Sequence, residues 1–209
     1  MAKSKEYSIL TSQLANLREH LLPSKFDPTG VYSSRKLKRA IAYRVLAHAE
    51  LEAYFEGRVK EIALAALRKW KTSGTPSSVL MALLAFSGKE MECPPPSLAP
   101  PQPSQVAAWE EKKRLGKRVE SAASAFFHVI NNNHGIKELN LLKLLLPIGF
   151  SVDKLDPVWL ADMDSFGAAR GQYAHLSSAT MVINPEDELK RIKLLLKGVQ
   201  QVDSDLNLI

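Results

Sequence analysis

Arginine and histidine stand five positions apart in the stretch AARGQYAHLS, residues 168–177, as Arg170 and His175. Histidine ordinarily titrates close to neutrality, so it can give or take a proton in a transition state. Arginine carries a permanent charge on a planar fork that fits the oxygens of a phosphoryl group. Chemistry suited to such a pair is metal-free cleavage of RNA, in which a 2′-hydroxyl attacks the adjacent phosphate. Histidine would serve the proton transfers, and arginine would hold the charge that grows on the phosphoryl oxygens. That step leaves a 2′,3′-cyclic phosphate and a 5′-hydroxyl. DNA lacks the nucleophile and should resist.

Spacing sets a condition on this chemistry. On an uninterrupted helix, residues five apart point about 140° away from each other. Two arrangements could still unite them. Gly171 could break the helix and aim both groups into one cleft, or a two-fold dimer could bring two copies of the segment together. Competing assignments are structural: Arg170 paired with Glu52 or Asp164, His175 as a helix cap or core residue, and Tyr173 as packing.

The elements that must position the pair read as helices. Leu10, Leu14, Leu17 and Leu21 recur at spacings of three and four, which predicts a first amphipathic helix. A second, long helix is predicted from about Arg35 to Lys71, capped by Ser33 or Ser34. Its apolar stripe is Leu37, Ile41, Val45, His48, Leu51, Phe55, Val59, Ile62 and Ala66, so His48 and Glu52 sit in or beside a buried seam. They read either as a pair that satisfies itself or as part of a site.

A short helix around VLMALLAFSGKE precedes CPPPSLAPPQPSQ, whose six prolines forbid regular structure and make residues 93–105 an extended connector. Helix resumes near Gln105 and runs to about Ile130, where Asn131–Asn133, His134 and Gly135 form a turn. IKELNLLKLLL is another short helix, stopped by Pro147 and Gly149. Asp156 caps a helix that begins with Pro157 and buries Leu160, Met163 and Phe166 or Gly167. Asn184 caps the last helix, followed by Pro185 and an acidic first turn, with Leu189, Ile192, Leu196 and Val199 on its inner face. No segment alternates as a strand would, so the expected fold is an all-α bundle with one long central helix and a proline-rich loop.

The 209 residues suit one domain, residues 1–209. A net charge of +6 is compatible with a polyanionic partner. Cys93 is the lone cysteine, which leaves no disulfide framework. There is no glycine-rich phosphate loop, serine elbow or zinc-spaced cluster, and the histidines at 20, 48, 128, 134 and 175 are scattered, so no metal or cofactor is expected. The start MAKSKEYSIL does not read as a signal peptide, and the apolar runs are too short to span a bilayer. A cytoplasmic protein is the expectation. The run EEKKRLGKR reads as a solvated helix face that could also steer RNA.

The R-x4-H arrangement RGQYAH, near the end of an all-α chain, resembles the signature of HEPN domains. AYRVLAHAELEAYFEGRVKEIA is similar to the long second helix of the RiboL-PSP type, where a glutamate stands in a comparable context. NNNHGIKELNLLKLLLPIG and LDPVWLADMDSFGAARGQYAH resemble the approach to that motif, so the likeness covers residues 35–180. The resemblance implies a homodimer with a composite active site, and a metal-independent endoribonuclease of a toxin–antitoxin or phage-defence system. Arg170 and His175 would be catalytic, with Glu52, Gln172, Tyr173 and His48 supporting. Partners would be RNA and an antitoxin or other regulatory protein. The family commonly follows its arginine with asparagine or aspartate; here Gly171 stands there, with Gln172 next. The alternative is a non-catalytic HEPN-like module that binds a nucleotide or a protein.

Overall fold

The structure, a computed structural model, describes residues 3–88, 111–175 and 183–209; for residues 111–113 and 170–175 it describes the backbone alone. The connector at 93–105 and the start of helix near Gln105 lie outside the described residues. Those described form helices and turns and no strand, an all-α fold. The helices are α1 (Lys5–Leu21), α2 (Ser34–Ser73), α3 (Ser78–Phe86), α4 (Glu111–Asn131), α5 (Glu138–Leu145), α6 (Pro157–His175) and α7 (Pro185–Leu206). Short 3₁₀ turns cover Leu146–Ile148 and Val152–Lys154.

Local chemistry sets the ends. Ser33 Oγ accepts from the Lys36 amide at the head of α2, and Gly74 closes the helix at φ 67°, a left-handed conformation that glycine adopts without cost. Asp156 Oδ1 accepts from the Val158 amide at 2.9 Å, with Pro157 in the first helical position. Asn184 Oδ1 accepts from the Glu186 amide at 2.9 Å. The turn after α4 is amide chemistry as well. Asn132 Nδ2 donates to the His128 carbonyl at 2.7 Å, and Asn133 Nδ2 donates to the Gly135 carbonyl at 3.0 Å.

At 40 residues, α2 is about 60 Å long and touches every other helix. Its stripe from His48 through Leu51, Phe55, Val59 and Ala66 is buried, while Leu37, Ile41, Val45 and Ile62 are half-buried. Helix α1 runs antiparallel to it, with Tyr7 edge-on to Tyr54 at 6.3 Å. Helix α6 is antiparallel as well: Phe55 meets Trp159 at 6.3 Å and His48 meets Phe166 at 6.2 Å. Helix α7 runs the other way, because Arg44 faces Glu188 while Tyr54 reaches Asp203. Hence the first turns of α2 and α7 and the last turn of α6 share one end of the bundle.

Of the two arrangements that could unite Arg170 and His175, a helix break at Gly171 is not the one α6 adopts. Helix α6 continues across Gly171 to His175 without a break. Glycine inside a helix costs only about 1 kcal/mol relative to alanine, too little to end a helix that is anchored over its preceding turns by Met163 and Phe166, both 0% exposed.

Candidate functional site

The inner face of α2 beside α6 carries charge where an apolar seam would carry none. Arg44 and His48 are 4% and 1% exposed. The Arg44 guanidinium carbon lies 5.4 Å from the centre of the Phe166 ring, and the His48 ring stacks on that same ring at 25°. Arg44 Nε stands 3.4 Å from Glu188 Oε2, a carboxylate that α7 buries here. His48 Nδ1 stands 3.6 Å from Glu52 Oε2, one turn on. Four chargeable groups therefore gather here, drawn from α2 and α7, and two of them, Arg44 and His48, lie against Phe166.

Burial shapes their chemistry. Removal from water raises the Glu188 carboxyl above its ordinary range, and the positive charges of Arg44 and Arg191 offset part of that rise. The Tyr43 hydroxyl is pushed up to about 12 by burial and by the neighbouring Glu188. A buried charge is tolerated only when paired, and breaking such a pair by removing one partner is costly.

Backbone position 170 lies one turn beyond Phe166, so the segment with Arg170 begins where this cluster ends. The side chains of Arg170, Gln172, Tyr173 and His175 lie outside the described residues. Because α6 is unbroken, positions 170 and 175 are about 140° apart around its axis. The structure brings His48 and Glu52 together, half-burying Glu52. Asp164 Oδ1 accepts from the Glu138 amide at 3.3 Å and so caps α5.

Arg44 and Glu188 escaped sequence reasoning. A signal existed for Arg44, which stands four residues before His48 at a position the helical period buries. Glu188 was read as a dipole-favoured acid of the first turn of α7, which says nothing of burial.

Two other features are distinct from this cluster. Asp203 collects donors beside the middle of α2: the Ser4 amide at 2.9 Å, the Ser4 hydroxyl, and Tyr54 Oη at 3.0 Å. Arg58 stands against it, with Nε at 3.4 Å, and donates to Glu61 and Asn207 as well. An apolar recess of about 570 Å³ opens between α3, α4 and α5, walled by Leu83, Phe86, Phe126, Val129 and Leu146. Among the described residues no cluster of three or more His, Cys, Asp or Glu could hold a metal ion, and no helix is long and apolar enough to cross a membrane.

Comparison with family models, with curated proteins and with solved structures returns no match to this chain.

Proposed function

We propose that this chain is a HEPN-type endoribonuclease that cleaves RNA without a metal, by 2′-hydroxyl attack, through Arg170 and His175. The observation that carries the reading is the placement of the RGQYAH segment. It begins one turn beyond a ring, Phe166, against which a buried arginine and histidine pack. Rigid packing of this kind fixes a helix end, and metal-free phosphoryl chemistry depends on fixed position more than on any other device. In this reading Arg170 binds the phosphoryl oxygens, and His175 moves the proton. Glu52 and His48 hold the α2 side of the site, and Gln172 and Tyr173 contact the strand.

The unbroken α6 bears on how the site is completed. With its arginine and histidine positions about 140° apart, a single chain is poorly built to aim both at one phosphate. The reading therefore includes a homodimer in which two copies of residues 168–177 meet at the two-fold axis. Its setting would be the cytoplasm, as the toxin or effector of a toxin–antitoxin or phage-defence system held by an antitoxin or other regulatory protein. The same helix continuity supports the alternative, a non-catalytic HEPN-like module that binds a nucleotide or a protein.

The test is cleavage of mixed RNAs in excess chelator, with His175→Ala and Arg170→Ala as controls. Products should carry cyclic phosphate and 5′-hydroxyl ends, and DNA should survive. Equal cleavage by parent and mutants, or a strict need for a divalent ion, would defeat the proposal.

A further inference from the structure

The end of the bundle at which α6 finishes carries an unusual concentration of positive charge. Stepping seven residues back along α2, from Phe55 to His48, matches seven forward along α6, from Trp159 to Phe166, with ring separations of 6.3 and 6.2 Å. The two axes thus run side by side in antiparallel register. Continued at the same rise, backbone position 170 lies level with Arg44 and position 175 level with Arg39. By the same step from the Tyr7–Tyr54 contact, α1 ends level with Ala40. Residues 34–39 of α2 therefore stand at the end face, where both neighbours run out.

Arg35, Lys36, Lys38 and Arg39 occupy this turn, and all are exposed. At 100° per residue Arg35, Lys38 and Arg39 fall on one face of the helix with Lys36 at its border, and Ser34, Arg35, Lys38, Arg39 and Ala42 line a shallow recess there. The placement opposes local stability. A helix N-terminus is the positive end of the macrodipole, where each added cation is unfavourable and neighbouring like charges add to it. Helix α2 has no acid in its first turn. Its neighbour α7, starting at the same end, has Glu186, Asp187 and Glu188.

Those acids do little to neutralise the turn. Glu188 is buried against Arg44, and Glu186 pairs with Lys190 at 2.9 Å. Asp27, in the preceding loop, accepts from the Thr29 amide and hydroxyl at 2.8 and 2.6 Å, and these bonds, with a smaller pull from the charge of Lys36, hold its carboxyl below the ordinary range. Asp187 is the exposed acid of α7. Among the described residues, none of the four cations forms an ion pair.

We infer that Arg35, Lys36, Lys38 and Arg39 form a docking surface for the phosphate backbone of single-stranded RNA, on the open side of α2 at the end of the bundle where α6 also finishes. This deepens the ribonuclease reading and rests on it for the ligand. Neutralising phosphates releases counterions, so the surface supplies affinity that weakens steeply with salt and carries no sequence preference of its own.

The test separates the surface from the chemistry by using a strand that cannot be cleaved. A fluorescent 2′-O-methyl RNA of mixed sequence is titrated with the full chain, and anisotropy is followed over a series of salt concentrations. The variant Arg35→Gln/Lys38→Gln/Arg39→Gln is set against Lys60→Gln/Lys193→Gln/Lys197→Gln, which removes the same charge from exposed positions elsewhere. The end-face variant should lose about tenfold or more in affinity at low salt, and its slope of log K against log salt should fall by about 2, at roughly 0.7 per lost contact. The control should change less than about twofold. Arg39→Gln alone, with a slope lower by about 0.7, repeats the test if the triple variant misfolds. Equal losses in both triple variants, absence of RNA binding by the parent, or loss of binding to phosphatidylserine vesicles with RNA binding intact would each overturn the surface. Binding that shifts as expected in a chain with no cleavage would sink the ribonuclease reading and leave the surface standing.

Discussion

Gly198→Ala should loosen the joint between α6 and α7 and so disturb the helix that ends in the RGQYAH segment. A Cβ added at Gly198 would lie 2.2, 2.3 and 2.5 Å from three atoms of the Trp159 indole. Ordinary contact begins near 3.4 Å, so the ring must retreat by more than an ångström. Trp159 is 5% exposed and donates through Nε1 to the Leu195 carbonyl at 3.1 Å. Overpacking of this kind costs about 1–3 kcal/mol, and stranding the buried indole N–H adds about 1–3 kcal/mol. Replacing glycine in a helix interior returns about 1 kcal/mol. The net loss should be about 3 kcal/mol, within a range of about 1–5. At a urea m-value of about 2–3 kcal/mol/M, the unfolding midpoint followed by circular dichroism should fall by about 1 M. A cavity-making change such as Trp159→Leu should partly rescue the alanine, because contacting residues are not additive. An unchanged or higher midpoint for Gly198→Ala would refute the close approach of the two helices.

Four further outcomes follow from the site and its supports. Arg170→Lys should lower RNA turnover at least about tenfold, because an ammonium cannot reproduce the bidentate fork; cleavage rates at saturating RNA check this, and equal rates would remove the arginine from the chemistry. Glu52→Gln should lower turnover more than RNA affinity, since it changes charge and positioning beside His48 but not bulk electrostatics; an affinity loss with turnover intact would contradict that role. Tyr54→Phe removes the hydroxyl that donates to buried Asp203 and should cost about 2 kcal/mol, or roughly 4–8 °C in Tm by calorimetry; no shift would mean the bond contributes nothing net. Glu188 has a raised carboxyl pKa in the folded state, so its contribution to stability is complete below its ordinary value of 4.5 and is lost as pH rises through the higher folded one. Glu188→Gln should therefore gain on the parent as pH rises above 4.5, in urea midpoints taken across that range; parallel curves or the opposite trend would refute it.

Much of the architecture was legible because helix ends and buried stripes are local facts. Ser33, Asp156 and Asn184 cap where their side chains and neighbouring prolines imply. Leu160, Met163 and Phe166 are buried as a 3.6-residue period requires. The polar core was not legible. Arg44, Arg58, Glu188 and Asp203 look like surface residues until helices distant in the chain close over them, and a charge enters a core only when its partner arrives from elsewhere. Gly171 left two arrangements open in the sequence, and its local preference for a break is small beside the packing that holds α6 in line. The proposed site rests on residue types and spacing alone, and the two-chain completion proposed for it would be a property of assembly, which no single-chain period encodes.

Asp203 has a consequence for the order of events in synthesis. Ser4, Tyr54 and Arg58 leave the ribosome long before Asp203 does, and their donors point at a buried acceptor that does not yet exist. A nascent chain that tried to bury Tyr54 or Arg58 early would strand them, at a cost of about 1–3 kcal/mol for each unpaired group and more for the charge. The seam of α2 therefore stays open until α7 emerges. Contacts that span nearly the whole sequence also close slowly. The Trp159 indole of α6 likewise finds its acceptor, the Leu195 carbonyl, only when α7 arrives.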